Sequence, residues 1–145
     1  MSVNVLAKVA KLYITTSSEP SRELKDELHL DDKGVIGDKF YGKDINRLIL
    51  ITSTDSYKMS RDIGIDIEYG TLGENILLEG SIKSLNLGDN FKIGEVAFEI
   101  TQNCTLCNGL SKINSKLPKL LKDDRGVFAK AISNGVIKKG DIIYI

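Results

Sequence analysis

The sequence predicts a mostly β protein, built as a β-barrel or sandwich with a few short helices. Short apolar runs rich in β-branched residues recur along the 145-residue chain, and such runs are typical of strands. Thirteen glycines and two prolines accompany these runs, and glycine is typical of tight turns between strands. The connections are too irregular for repeated βαβ units, which favours a barrel or sandwich.

The N-terminal third is predicted to contain one long strand followed by irregular structure. Val3–Ile14 alternates between apolar and polar residues in its first half and ends on apolar positions, which predicts a strand with one buried face. Thr15–Pro20 is polar and predicts a loop. In Ser21–Leu30, Leu24 and Leu28 lie at helical spacing, but the segment is short and heavily charged. We expect a loop or a weak helical turn there.

The middle of the chain is predicted to form a buried strand and then a helix. Arg47–Thr52 is a short apolar run with β-branched residues, typical of a buried strand. Ser53 or Thr54 is expected to cap a helix that runs to about Ile63, because a hydroxyl accepts a hydrogen bond from a free amide of the first turn. Gly64 is expected to end this helix, since glycine readily adopts the left-handed conformation found there.

The C-terminal half is predicted to contain further strands and one amphipathic helix. Four segments have strand character: Glu74–Leu78, Asn90–Ile93, Val96–Thr101 and Ile142–Ile145. Leu106–Leu121 has apolar residues at three- and four-residue steps, typical of an amphipathic helix, and Pro118 is expected to kink or divide it. Val127–Ile132 fits a helix and a strand equally well.

Composition and charge restrict the class of protein. Hydrophobic residues make up 41% and charged residues 28% of the chain, which is ordinary for one folded domain spanning residues 1–145. Twenty basic residues balance twenty acidic ones. This balance argues against nonspecific nucleic-acid binding, because such binding needs a basic surplus. The sequence has no apolar window long enough for a membrane-spanning helix.

The N-terminus and the cysteine content favour a cytoplasmic protein, and the histidine content limits the possible metal sites. Met1–Val5 lacks the basic region and apolar core of a secretory signal. Two cysteines in such a chain predict a cytoplasmic protein whose thiols stay reduced. His29 is the one histidine of the sequence, which excludes a zinc site with several imidazole ligands from one chain.

Cys104 and Cys107 form the most informative short motif of the chain. They fall where the predicted strand Val96–Thr101 ends and the predicted helix begins near Leu106. A thiol at a helix start ionises more readily, and the thiolate is the nucleophile and soft-metal ligand. Four interpretations remain: half of a structural zinc site, a dithiol redox pair, one reactive cysteine with an incidental neighbour, and two buried inert thiols.

Three Gly-Asp pairs predict tight turns, because glycine tolerates positive φ and aspartate bonds to nearby backbone. They are Gly37-Asp38, Gly88-Asp89 and Gly140-Asp141. The first pair lies in residues 34–40, a loop that contains two glycines. A second polar turn, Gly73–Asn75, leads into a predicted strand. Neither segment is a phosphate-binding loop, since Gly-Lys-Ser/Thr and Gly-x-Gly-x-x-Gly are both absent from the sequence.

Taken together and in order, these segments resemble the MOSC domain, the C-terminal domain of molybdenum-cofactor sulfurases, which also occurs as small stand-alone bacterial proteins. The matching segments are Gly34–Asp38, Arg47–Thr52, Gly73–Ile76, Leu87–Asp89 with Ile93-Gly94, Glu99–Gln102 with Cys107, Arg125–Ala129 and Gly135–Asp141. Their order and spacing, over about residues 5–145, carry the resemblance. The short stand-alone members are the most similar in length.

The resemblance implies a β-barrel like the barrel domain of pyruvate kinase, with one signature cysteine that corresponds to Cys107. In the family this thiol is thought to carry sulfur as a persulfide or to ligate molybdenum in a bound molybdopterin. Some relatives reduce N-hydroxylated compounds with that cofactor. Phe40 stands where the family usually has histidine, which weakens a transfer of acid–base function. Other members of the family do not normally have a cysteine at the position of Cys104, which keeps the dithiol interpretation open.

The residues themselves fit such a cofactor, which is an anion that holds a soft metal. Its pocket needs a thiolate, cationic donors and turn amides. Arg47 and Arg125 are the candidate phosphate contacts. Further candidates for cofactor binding are Gly37, Asp38 and Asn75. The competing interpretations are solvated surface charge for the arginines, and turn stabilisation for Asp38, Glu74 and Asn75.

We therefore expect a domain that binds the molybdenum cofactor or carries sulfur through Cys107. As an enzyme it would have a sulfurtransferase-like or N-hydroxyl reductase activity, and it would need an electron-transfer or molybdoenzyme partner. One alternative is a non-catalytic carrier that hands the cofactor to another protein. The other is a dithiol redox protein that uses Cys104 and Cys107. No sequence signal indicates pyridoxal phosphate.

Overall fold

The computed structural model describes residues 5–15, 23–80, 85–103, 114–121 and 126–144. These residues form strands β1 (Val5–Ile14), β2 (Glu23–Lys25), β3 (Glu27–Asp31), β4 (Gly34–Val35), β5 (Ile49–Ser53), β6 (Ile76–Gly80), β7 (Asn90–Ile93), β8 (Val96–Asn103), β9 (Val127–Ala131), β10 (Gly135–Lys138) and β11 (Ile142–Tyr144), with helices α1 (Thr54–Asp62) and α2 (Leu117–Leu120).

Seven strands close into a barrel in the order β1-β11-β7-β8-β9-β5-β6, and β6 pairs back onto β1. Strand β2 pairs with residues 12–14 of β1, beyond the part of β1 that pairs with β11. Strands β10, β3 and β4 form a separate small sheet. The predicted fold class, a mostly β barrel with few short helices, is therefore confirmed.

Strands β5 and β6 are the one parallel pair among the described strands. Parallel neighbours need a crossover connection, and α1 lies in that connection. Its Tyr57 packs outside the barrel in a small apolar cluster with Leu72, Leu77 and Leu121. Strand β5 is buried along its whole length, since Ile49 and Ile51 belong to the main core and its other face is also covered.

Helix α1 begins and ends as the sequence predicts. The Ser53 side chain accepts a hydrogen bond from the Asp55 amide at 3.0 Å and donates one to the carbonyl of Gly80. Gly64 follows the C-cap residue Ile63 with a φ of +85°. The hydroxyl cap and the left-handed glycine therefore define this helix.

The expectation of a loop or helical turn over Ser21–Leu30 is wrong for its described part. Residues 23–25 and 27–31 form β2 and β3. Leu28 and Leu30 are both buried, with the exposed His29 between them, whereas Leu24 is 57% exposed. The buried residues thus recur every two positions, as in a strand, rather than every four, as in a helix. The pairing of β3 with β10 buries Leu28 and Leu30.

The prediction of a helix over Leu106–Leu121 also needs correction in the part that the structure describes, residues 114–121. Residues 104–113 lie outside the described part, and residues 114–116 form a turn segment rather than a helix. The Asn114 side chain accepts a hydrogen bond from the Lys116 amide at 2.9 Å, and such local bonds compete with helix formation. The short helix α2 starts after this turn, with Pro118 in its first turn, where proline is tolerated.

The remaining predicted elements differ mainly at their ends. The ambiguous segment Val127–Ile132 is the strand β9, and the short strands β4 and β10 were not predicted. Their small size and their glycines give little local pattern. No helix in the described ranges is long and apolar enough to cross a membrane.

Candidate functional site

The first Gly-Asp turn holds a buried carboxylate against the end of β1. Asp38 is 5% exposed. Its Oδ1 accepts a hydrogen bond from the Thr15 amide at 2.9 Å, and its Oδ2 accepts one from the Phe40 amide at 3.2 Å. Gly37 precedes it with a φ of +93° and has open space where a Cβ would lie. Asp38 thus ties residues 34–40 to the strand β1.

The other two Gly-Asp turns are local. Asp89 accepts a hydrogen bond from the amide of Asn86, and Asp141 accepts one from the amide of Lys138, each at 2.8 Å. Both bonds connect residues three apart, and the preceding glycines have positive φ. The turn prediction is confirmed for all three pairs, and the first pair differs by its long-range bond.

Asn75 connects two barrel strands just before β6 begins. Its Oδ1 accepts a hydrogen bond from the Leu50 amide at 3.1 Å, and its Nδ2 donates one to the Tyr13 carbonyl at 3.3 Å. The Asn75 backbone bonds to the same two residues. These bonds fix the spacing of β5 and β1 at this point, while a contact between Asn75 and a cofactor stays a prediction.

Glu74 is a fully buried carboxylate that lies beneath α1. Its Oε2 accepts hydrogen bonds from the Thr52 hydroxyl at 2.6 Å and from the Tyr57 hydroxyl at 2.5 Å. Its Oε1 has no hydrogen-bond partner within the described part of the chain. One oxygen of this carboxylate is therefore satisfied by two hydroxyls, and the other is open to a further donor.

The Tyr57 hydroxyl has its hydrogen-bonding capacity filled. It donates to Glu74 and accepts from the amides of Gly70 and Leu72 at 3.0 and 3.2 Å. Burial, followed by the charge of Glu74 and the bond to it, raises the pKa of Tyr57 far above its ordinary value. Tyr57 thus stays protonated and anchors residues 70–74 to α1.

Arg47 lies beside the strand that leads to the cysteines. Its guanidinium is 5.0 Å from the ring centroid of Phe128, and Phe128 pairs with Gln102 near the end of β8. The Thr101 hydroxyl donates a hydrogen bond to the Asn46 carbonyl at 2.8 Å, which fixes the residue before Arg47 against β8. Since β8 ends at Asn103, the exposed Arg47 is close to the segment that continues into Cys104.

Cys104, Cys107 and Arg125 lie outside the described residues. The glycine after Arg125 is described, and a Cβ on Gly126 would come within 2.5 Å of the Ile51 carbonyl oxygen. The close approach of β9 to β5 therefore requires glycine at that position. Phe40 is exposed, with the Lys39 ammonium 5.0 Å from its ring centroid.

No local sequence pattern indicates the polar cluster around Glu74. Thr52 and Tyr57 read as a strand end and a helix residue, yet both bond to a carboxylate 22 and 17 positions away. No group of three or more potential metal ligands, counted over histidine, cysteine, aspartate and glutamate, occurs in the ranges that the structure describes.

Several solved structures share this fold. YuaD from Bacillus subtilis superposes with a TM-score of 0.85 at 20% identity, over 99% of this chain and 97% of that one. YiiM from Escherichia coli gives 0.70 at 21% identity, over 95% of this chain and 69% of that one. YiiM from Geobacillus stearothermophilus gives 0.64 at 17% identity, over 99% and 75%. These similarities concern the fold.

Comparison of sequences gives the family directly. No curated protein matches the chain. The model of the MOSC domain matches residues 24–144, a range that includes the barrel strands from β5 to β11, the three Gly-Asp turns and both cysteines. The chain therefore belongs to the MOSC domain family.

Proposed function

We propose that this protein binds a molybdenum cofactor of the molybdopterin type, and that Cys107 carries sulfur as a persulfide or ligates the molybdenum. The MOSC family is generally linked to this cofactor, and the chain matches the family over residues 24–144. The observation that carries the proposal is the position of Arg47, an exposed cation beside the strand that runs into the Cys104–Cys107 segment.

Arg47 has the properties that a phosphate contact needs. No carboxylate within ion-pair distance of its guanidinium is found in the described ranges. The Phe128 ring contacts the guanidinium at 5.0 Å, which restricts its orientation while its N–H groups stay available. A guanidinium held in this way suits bidentate recognition of phosphate. In our proposal Arg125 supplies a second cation.

The glycine and amide residues of the motifs fit a supporting role. Gly37 borders open space, so a ligand can approach its backbone closely. Asp38 and Asn75 hold β1, β5 and the loop of residues 34–40 in place through bonds to backbone amides. In this proposal they shape the pocket, and the thiolate and the arginines provide the charged contacts.

When bound, the cofactor would supply metal-centred redox or sulfur chemistry, for which the chain provides a soft ligand and anion contacts. We propose that a partner protein completes the activity, either an electron-transfer protein for N-hydroxyl reduction or a molybdoenzyme that receives sulfur. A non-catalytic carrier is the alternative. Both forms of the proposal assume a cytoplasmic location, where a thiol stays reduced.

The metal and pterin content of the protein tests the proposal. Protein purified from a host that makes the cofactor should contain molybdenum and a pterin, and Cys107→Ser should lose most of both. The matched variant Cys104→Ser should keep them. Protein free of molybdenum and pterin would refute cofactor binding, and equal loss in the two variants would favour the dithiol alternative.

A second measurement addresses Arg47. Arg47→Ala should weaken cofactor binding more at low than at high salt, because salt already screens the attraction between exposed charges. Arg61→Ala, an exposed arginine on α1, is the control and should bind as the parent protein does. Unchanged affinity of Arg47→Ala at low salt would remove this residue from the site.

A further inference from the structure

A cleft of about 400 Å³ lies on the outer face of the barrel, apart from Arg47 and β8. It is lined by Lys11, Tyr13, Arg61, Ile67, Glu68 and Tyr69. Three parts of the chain form its walls: β1, the last turn of α1, and the loop between α1 and β6. Its described lining includes neither Arg47 nor any residue of β8.

The aromatic walls of this cleft are firmly held. A Cβ on Gly70 would lie 3.2 Å from the Tyr13 ring, so the backbone packs directly on this tyrosine. Tyr69 packs edge-on against Tyr57 with a centroid distance of 4.9 Å. Tyr57 is itself fixed by Glu74 and by two amides. The walls are thus preformed, which lowers the entropic cost of binding a ligand.

The cleft combines charges of both signs that do not neutralise each other. Lys11, Arg61 and Glu68 line it, and none of the three forms an ion pair with a described residue. Lys8, on the same strand, does pair with Glu79 at 3.5 Å. The cleft therefore offers two cations and one anion to a ligand that carries complementary charges.

The Tyr13 hydroxyl adds a neutral polar group on the acidic side of the cleft. Its pKa is raised to about 12, first by burial and then by the charge of Glu74, the ionisation of Tyr69 and the charge of Glu68. The hydroxyl therefore stays protonated at neutral pH, and it lies close enough to Glu68 to feel its charge. An ammonium group near Glu68 would find a second acceptor in this hydroxyl.

We propose that this cleft binds a free aromatic α-amino acid. Its carboxylate pairs with Arg61 and Lys11, its ammonium group pairs with Glu68, and its ring packs against Ile67 and Tyr69. Both ligand charges meet opposite charges, and the cleft volume suits a small molecule of this size. The described lining contains none of the residues proposed for the cofactor, so this proposal does not rest on cofactor binding.

A set of three probes tests the need for both charges. L-phenylalanine has the two charged groups, 3-phenylpropanoate lacks the ammonium group, and 2-phenylethylamine lacks the carboxylate. We expect calorimetry or NMR titration to give an affinity for L-phenylalanine about tenfold higher than for either analogue, as one charge-assisted contact is lost in each. Absence of L-phenylalanine binding, or equal affinities for the three probes, would overturn the proposal.

Three variants of the full chain assign the two ends of the ligand. Arg61→Gln should weaken L-phenylalanine about tenfold and leave 2-phenylethylamine unchanged, whereas Glu68→Gln should weaken L-phenylalanine and leave 3-phenylpropanoate unchanged. Lys8→Gln, which changes a paired lysine outside the cleft, should have no effect on any probe. Equal weakening by Lys8→Gln would indicate diffuse charge attraction and refute the site.

The amino-acid site and the cofactor site can fail separately. Cys107→Ser should bind L-phenylalanine as the parent protein does, because the described lining of the cleft contains none of the residues proposed for the cofactor. Loss of L-phenylalanine binding in this variant would contradict an independent cleft. Circular dichroism of the Lys8, Arg61 and Glu68 variants should match that of the parent protein, since these three residues are exposed.

Discussion

Asp38 and Glu74 are both buried carboxylates at motif positions, but they have different donors. Asp38 accepts hydrogen bonds from two backbone amides, one of them that of Thr15, directly after β1. Glu74 accepts from two side-chain hydroxyls, and its second oxygen has no partner among the residues described. The first carboxylate is saturated by fixed groups, and the second is only half satisfied.

This difference separates a carboxylate held by backbone donors from one held by side-chain hydroxyls. A backbone N–H can only donate, so the position of Asp38 requires an acceptor on both oxygens. Of the two hydroxyls at Glu74, that of Tyr57 already accepts from two backbone amides, so it is held as a donor to Glu74. Glu74 is thus the motif acid with one oxygen that has no donor among the described residues, whereas Asp38 holds two segments together.

Tyr57→Phe should be the most damaging test of the Glu74 cluster. It removes the donor to Glu74 and the acceptor used by the Gly70 and Leu72 amides. Buried groups that lose partners cost about 1–3 kcal/mol each, so we expect a loss of about 3 kcal/mol in the free energy of unfolding. Urea unfolding measures this loss.

Tyr69→Phe is the matched control for that variant. Tyr69 is partly exposed and packs on the Tyr57 ring without a described hydroxyl bond, so its loss should stay within about 0.5 kcal/mol. A Tyr57→Phe protein as stable as Tyr69→Phe would show that the cluster is held by packing and that its hydroxyl bonds add nothing.

Asp38→Asn should have the next largest effect. The new amide group must place its NH₂ opposite one of the two backbone N–H donors, which leaves that pair unsatisfied. We expect a loss of about 2 kcal/mol. Asp89→Asn is the control, because that turn uses one acceptor oxygen and the asparagine keeps one. Equal stability of both variants would show that the two hydrogen bonds of Asp38 to backbone amides do not need a carboxylate.

The barrel could be predicted from the sequence, because strand alternation and turn glycines are local signals. The segment Ser21–Leu30 misled for a physical reason, since Leu24 and Leu28 suggested a helical period and only the pairing of β3 with β10 selects the strand. The hydrogen bonds of Glu74 and Asn75 join residues 17 to 62 positions apart. No local pattern encodes such contacts. The segment Gly73–Asn75 therefore predicted a turn but not the hydrogen-bond partners of Glu74 and Asn75.

Glu74→Gln should change stability less than either variant above. The glutamine carbonyl can accept both hydroxyls in place of Oε2, and the variant removes a buried charge whose desolvation is costly. We expect a change within about 1 kcal/mol in urea unfolding, close to that of the exposed control Glu79→Gln. A loss as large as that of Asp38→Asn would contradict this expectation and would show that the glutamine NH₂ group finds no acceptor at the position of Oε1.

The smallest effect appears only at high pH and uses Tyr13 as a reporter of the charge on Glu74. Burial is the first cause of the raised Tyr13 pKa, about 12, and the charge of Glu74 is the second. Glu74→Gln should therefore lower this pKa but keep it above its ordinary value of 10.0. Asp38→Asn should leave it unchanged, since Asp38 is not among its causes.

The sign of the linked stability effect follows from that shift. The folded state binds the Tyr13 proton more tightly than the unfolded state, so this contribution is complete below pH 10 and is lost as the pH rises through 12. In Glu74→Gln the loss should begin at the same pH and end at a lower one. Tyrosinate absorbance of the parent protein, Glu74→Gln and Tyr13→Phe measures the shift. An unchanged Tyr13 titration in Glu74→Gln would show that Glu74 does not contribute to the raised pKa of Tyr13.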